Sequence, residues 1–269
     1  MTVDRDAPLA DENPLRQAIA AAIAALSPAQ RRRLIAHLTP TRAPERIAKM
    51  NHALAHRTRY LTIVLEDIFQ PHNAAAVLRS CDGFGIQDIH VIEKRNTFAP
   101  ENDVAMGTEK WLTLRRYTQT AECLGRLKER GYALAAATVR TGARPLHELP
   151  LERPLAILIG HERNGLSTLA HDAADHWYHL PMRGFADSFN LSVFCALTLY
   201  DLTTRLHQPV RSPTDSRPGA TLSEDERADL KLAWLLADTR AALVQAHDFA
   251  MANGWPWPQQ LAATAETAP

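Results

Sequence analysis

The sequence predicts an α/β fold: a parallel sheet with helices on both faces, plus helical extensions at both ends. Short runs at 61–65, 88–93, 133–139, 154–159 and 176–180 are apolar throughout rather than alternating, as strands covered on two sides must be. Helical stretches separate them at 74–84, 120–130, 167–174 and 190–206, the pattern of a parallel sheet. Outside this region apolar residues recur only at helical spacing.

Taken in order, residues 15–38 read as two short helices broken at Ser27-Pro28, and a third spans 44–56 with Ile47, Met50 and Leu54 three and four apart. The 74–84 helix closes on Gly83-Phe84-Gly85, with Asn73 expected as its cap and Arg79 six residues on. Ser167 is placed to cap the next short helix, and Ser188 and Asn190 open the 190–206 helix. Residues 209–219 have linker composition. Ser223 and Glu226 form a capping-box pattern for a helix expected to run to about Met251, and Pro256 and Pro258 close the regular structure. The expected domains are a basic helical extension at 1–57, a core at 58–208, a linker at 209–221, and a helix with tail at 222–269.

With 269 residues, 46% of them hydrophobic and 22% charged, the chain is long enough for a full core without staples. Cys81, Cys123 and Cys195 are odd in number and far apart, so no disulfide framework or metal cluster is expected, and a reducing cytoplasm is the natural setting. The apolar stretch at 18–26 is too short for a membrane span and lacks the basic lead of a signal peptide.

Net charge is zero, yet residues 31–59 hold Arg31, Arg32, Arg33, Arg42, Arg46, Lys49, Arg57 and Arg59 against Glu45 alone, a local excess of seven positive charges. Two readings stand: a patch that attracts phosphates, or a solvated helix face in an arginine-preferring sequence. No Gly-x-x-x-x-Gly-Lys, Gly-x-Ser-x-Gly or His-Glu-x-x-His occurs, and Gly83-Phe84-Gly85 follows a helix rather than a strand, which argues against a kinase, an esterase or a dinucleotide enzyme.

Ligands of open parallel sheets sit at the carboxyl ends of strands. Three such loops are rich in functional residue types: 66–73, 160–167 and 180–190. In order they carry Asn73 with Arg79, then Gly160-His161-Glu162-Arg163-Asn164-Gly165-Leu166-Ser167, then Leu180-Pro181-Met182-Arg183-Gly184 with Ser188-Phe189-Asn190-Leu191-Ser192. This arrangement resembles motifs 1, 2 and 3 of the SpoU/TrmH family of S-adenosylmethionine-dependent RNA 2'-O-ribose methyltransferases, over about residues 46–205. Arg46-Ile47-Ala48-Lys49-Met50 leading to Leu61-Thr62-Ile63-Val64-Leu65-Glu66-Asp67-Ile68, with Pro71-His72-Asn73, and the terminal helix with its Gly254-Trp255-Pro256-Trp257-Pro258 ending resemble the branch acting on guanosine 18 of tRNA.

The resemblance implies a SPOUT fold with a carboxy-terminal trefoil knot, a homodimer, and a tRNA substrate. It implies cofactor contacts at Thr138, Gly160, Leu180 and Phe189, where Phe189 stands at a place more often held by Leu. Arg79, Asn73, Glu162, Ser188 and Asn190 are the implied catalytic group, with Arg79 acting as a base or as a phosphate-binding, charge-stabilising group; a guanidinium normally stays protonated, which favours the second role. Arg46, Lys49, Arg57 and Arg59 are the implied RNA contacts, and Trp255 and Trp257 either stack on bases or pack the tail. A ribosomal RNA substrate, another tRNA position, and a catalytically silent RNA-binding protein are the competing readings. The last predicts decay of the motif residues, all of which are present.

Overall fold

The structure, a computed structural model, describes residues 13–100, 107–208, 220–258 and Leu261. They fall into two compact units, the described residues of Thr58–Thr221 and those of Pro8–Arg57 with Leu222–Pro269.

Three helices open the chain, α1 (Pro14–Ala25), α2 (Pro28–Leu38) and α3 (Pro44–His56). Each begins with proline at its first position, where the missing N–H is no loss and φ is already helical. Ser27 and Gln30 form a reciprocal capping box that separates α1 from α2.

The sheet unit follows in the order β1 (Leu61–Glu66), α4 (Pro71–Gly83), β2 (Asp88–Ile92), β3 (Thr113–Tyr117), α5 (Thr120–Glu129), β4 (Ala133–Ala137), β5 (Arg144–Pro145), β6 (Leu155–Ile159), α6 (Thr168–Ala173), β7 (His176–His179) and α7 (Leu191–Leu206). All seven strands are parallel in the spatial order β3-β2-β1-β6-β4-β7-β5. Every residue of β1, β2 and β6 is buried, in accord with the apolar runs of β1 and β6, while β2 buries Asp88 and His90 along with its aliphatic residues. Strands β3 and β5 are absent from the sequence expectation for a physical reason. The centre of β3 is Arg115-Arg116, whose charges face Asp88 (3.6 Å) and Glu93 (2.7 Å), and β5 has only two residues.

One cap differs from expectation. Pro71 starts α4 after Gln70, so Asn73 is the third helical residue, 1% exposed, and its side chain turns inward instead of capping. Ser167 caps α6 as expected, accepting from Ala170 N, and Asn190 caps α7, accepting from Ser192 N.

Two helices close the chain, α8 (Glu224–Asp238) and α9 (Arg240–Ala252). The Ser223–Glu226 capping box forms, but the single helix expected to Met251 is broken: Thr239 is extended, with φ −145°, and caps α9 through its hydroxyl. The linker expected at 209–221 lies mostly outside the described residues. Helices from the two chain ends share one core, in which Leu34, Leu38, Leu232, Trp234, Leu235 and Ala246 are buried. Charge pairs join them: Arg31 makes two bonds to Asp229 (2.7 and 2.8 Å), and Arg46 Nε donates to Asp238 (3.1 Å).

Candidate active site

Strand β1 leads outward to β2 and β3, while the later strand β6 inserts on its other side, so the switch of direction falls between β1 and β6. The crevice beyond their carboxyl ends is where such sheets bind ligands. A cleft of about 980 Å³ opens there, lined by Gln70 and Asn73, the whole of 137–143, Ile159–Leu166, His171, His179, Leu180, Met182, Asp187–Leu191 and Phe194. Of the nine residues expected to serve catalysis or cofactor, it gathers Asn73, Glu162, Ser188, Asn190, Thr138, Gly160, Leu180 and Phe189. Arg79 is the exception. It is exposed on α4, nearly two turns beyond Asn73, and does not line this chain's cleft.

A chain of side chains ties the three loops together. Glu162 accepts from the backbone N–H of Phe69 and Gln70 and from Asn73 Nδ2, each at 3.1 Å. Asn73 Nδ2 also donates to Gln70 Oε1 (2.7 Å), and its Oδ1 accepts from Asn190 Nδ2 (3.0 Å). Asn190 Oδ1 in turn accepts from the backbone N–H (2.9 Å) and hydroxyl (2.6 Å) of Ser192. Burial alone would raise the pKa of Glu162, but these donors, Asn73 first, outweigh it and hold the carboxyl below its ordinary range. Glu162 is therefore ionised near neutrality and bonded through three donors to the start of α4.

The second loop closes on itself. The backbone N–H of Gly165 donates to His161 O (2.8 Å), and a Cβ on Gly160 would collide with the backbone of Gly165 and Leu166. Gly165 has φ +65°, a conformation glycine adopts freely. His161 lies flat against Phe69, ring centroids 6.1 Å apart.

Two acidic residues at the end of β1 have no motif to mark them. Glu66, 3% exposed, accepts from Lys94 Nζ, from both the N–H and hydroxyl of Ser167 (2.8 Å each), and from Thr120. Asp67 is the one non-glycine residue at positive φ among those described (59°), and its Oδ1 accepts from the N–H of Lys94, Arg95 and Asn96. In both cases hydrogen bonds outweigh burial and lower the pKa. The signal available in sequence is only their position, two acids directly after a buried run. The fourth wall, 137–143, was represented in the sequence expectation by Thr138 alone.

The expected RNA contacts fare differently. Arg57 is 2% exposed with its guanidinium over the Trp234 ring (5.2 Å), so it serves packing and has no face for a phosphate. Arg59 Nε donates to the buried Asp88 (3.1 Å), and Arg46 is held by Asp238; Lys49 is exposed. Trp255 is 7% exposed beneath Arg33, which settles it as a packing residue. Among the described residues no helix is long and apolar enough to cross a membrane, and no cluster of His, Cys, Asp or Glu could hold a metal.

An all-parallel α/β sheet with a large cleft at its switch point, crossed by an asparagine-carboxylate chain from three loops, defines a ligand-binding protein of the kind that grips a cofactor between strand ends. The model of the SpoU rRNA Methylase family matches residues 60–200, and the chain belongs to that family. The chain is 37% identical to the tRNA (guanosine(18)-2'-O)-methyltransferase of Borreliella burgdorferi, over 71% of this chain and 84% of that one. It is 30% identical to the protein of the same name from Escherichia coli K12, over 59% and 69%. Among solved structures, the TrmH/SpoU tRNA modifying enzyme of A. aeolicus superposes with a TM-score of 0.64 at 23% identity, covering 72% of this chain and 97% of that one, and so shares the fold.

Proposed function

We propose that this protein transfers a methyl group from S-adenosylmethionine to the 2'-hydroxyl of a ribose in tRNA, guanosine 18 of the D-loop being the target. The observation that carries the reading is the Glu162–Asn73–Asn190 chain, which brings three motif loops to one cleft. The names of the relatives supply the substrate.

The cleft fits the cofactor. Its volume is in the range of small-molecule sites, and Ile159, Leu166, Leu180, Phe189 and Phe194 offer apolar walls for an adenosyl group. His171, 5% exposed, belongs to the same wall, and its Nδ1 is buried without a partner among the described residues. When bound, the cofactor supplies an electrophilic methyl on sulfur. The protein's part is to align the ribose oxygen with it and help that oxygen lose its proton.

Asn73 donates both amide hydrogens within the chain described above, so it holds Asn190 rather than substrate. Asn190 spends one amide hydrogen on Asn73 and keeps the other for a ribose oxygen in the cleft. Ser188, exposed beside it, is a second donor to substrate. Arg79 acts through a homodimer. The dimer face is the outer stripe of α7, where Val193, Leu197 and Tyr200 are 46, 40 and 62% exposed at spacings of four and three. Helix α4 packs along α7, with Phe84 edge-on to Tyr200, so this face carries Arg79 toward the partner's cleft. There its guanidinium binds the target phosphate and stabilises the developing alkoxide. The family reading also threads the chain after β6 as a trefoil knot and places the protein in the cytoplasm.

Incubation with methyl-labelled cofactor and total tRNA, followed by mapping of the alkali-resistant dinucleotide, tests the proposal. Label at position 18 is expected. Label confined to another tRNA position, or no transfer to tRNA, overturns it.

A further inference from the structure

We propose that the phosphates flanking the target ribose are gripped at the rim of the cleft by Arg140, Arg163 and Arg183. This inference rests on the methyltransferase reading and assigns to two arginines of the motif loops, and to one of the 137–143 loop, an RNA contact that the basic run at 31–59 does not contain.

The three arginines sit on three different loops, after β4, β6 and β7. Arg140 and Arg163 line the cleft, and Arg183 follows Met182, which also lines it. All three are exposed, and among the described residues none of their guanidinium groups meets an acceptor. Arg31, Arg42, Arg46, Arg59, Arg115 and Arg116 each face a carboxylate. A guanidinium that already holds a carboxylate gains little by exchanging it for phosphate, whereas an open one offers its whole fork of donors.

The acidic groups near the rim leave a positive excess in place. Glu162 is bonded to the start of α4, and Asp187 is the other carboxylate lining the cleft, two negative charges against three positive. The histidines lining the cleft are His161, His171 and His179, and burial and then Arg140 lower the pKa of His171, so it stays neutral beside that arginine. A cofactor carboxylate needs one guanidinium at most; three on separate loops match successive phosphates of a strand lying across the opening.

The test uses the full-length protein with Arg140→Gln, Arg163→Gln, Arg183→Gln and the triple variant. Binding of tRNA is measured from low to physiological salt, beside the affinity for S-adenosylhomocysteine. Each phosphate contact removed should lower the slope of log K against log salt by about 0.7 to 0.9, so the triple variant should lose about two to three. Arg31→Gln, whose arginine is committed to Asp229, should leave the slope unchanged, and affinity for the cofactor product should hold in every variant. An unchanged slope in the triple variant overturns the proposal. So does a tenfold loss of product affinity with the slope intact, which would assign these groups to the cofactor carboxylate. If the unaltered protein methylates no RNA, the functional reading fails first and takes this inference with it.

Discussion

In the helical unit Arg31 spends its fork on Asp229, 198 residues away, and Arg42 and Arg46 share Asp238. Around the cleft of the sheet unit Arg140, Arg163 and Arg183 meet no acceptor among the described residues, while Glu162, Asn73 and Asn190 are bonded to one another. The same residue type thus does opposite work in the two regions. Charge is consumed where it joins two ends of the chain and left open where it faces a ligand. A count of basic residues along the sequence measures neither.

The largest expected effect is at the most crowded point of the cleft. Gly160→Ala forces the 160–166 loop outward, because the new Cβ meets backbone that has no slack. Displacement of a positioning loop by about 1 Å can cost on the order of 10²-fold in rate, and a loss of that size in single-turnover methyl transfer is expected. Activity within threefold of the unaltered protein would show that the loop is free to move and that the cleft is less organised than the helical unit.

Asn73→Ala comes next. It removes the middle of the chain and leaves Glu162 and Asn190 each short of a partner, a loss of about 1–3 kcal/mol, or roughly 2–4 °C in melting temperature per kcal/mol for a domain of this size. Turnover should fall more than cofactor-product affinity. Equal loss of both would mean that Asn73 is only part of the packing.

The edge of the sheet between β2 and β3 gives a third contrast. His90 is 2% exposed at 3.0 Å from the Tyr117 hydroxyl, and burial, partly opposed by Asp88, pushes its pKa down to about 3. The unfolded chain protonates this group below about 6.5, the folded one does not, so stability declines as pH falls from 6.5 toward 3. Glu66 and Glu162, with folded pKa values below 4.5, add their own loss only as pH falls through those lower values. Thermal melts across this range should therefore decline before the cleft carboxylates titrate, and His90→Gln should flatten the upper part of that decline. An unchanged profile would remove His90 from the account.

The smallest effect belongs to the helical unit. Arg31→Ala breaks a half-exposed pair with Asp229, and such pairs contribute about 0.2–1 kcal/mol, so a shift of a few degrees at most is expected in a thermal melt. A drop of more than 10 °C would show that its ion pairs carry far more of the stability than surface pairs do.

The extent to which the fold was legible follows from what each feature depends on. The runs at 61–65 and 154–159 announce β1 and β6 because burial on both faces leaves no polar position, whereas β3 hides behind Arg115 and Arg116, which are apolar in effect only once Asp88 and Glu93 are opposite. The motif loops announce their residues but not their roles. Asn73 has the composition of a cap and becomes a bridge because Pro71 starts the helix two residues earlier. Glu66 is marked only by its place after a buried run, since its partners Lys94, Thr120 and Ser167 are remote in sequence.

By itself the sequence determined the succession of strands and helices, the proline and serine starts of the helices, and the family to which the chain belongs. These depend on periods and neighbours within a few residues, which backbone geometry reads locally. Only the tertiary structure decided which arginines face a carboxylate, that Glu162 is bonded to the start of α4, and that Arg79 stands outside its own chain's cleft. Those outcomes are set by distances between atoms far apart along the chain, and a hydrogen bond or ion pair exists only where folding brings its two ends within about 3 Å.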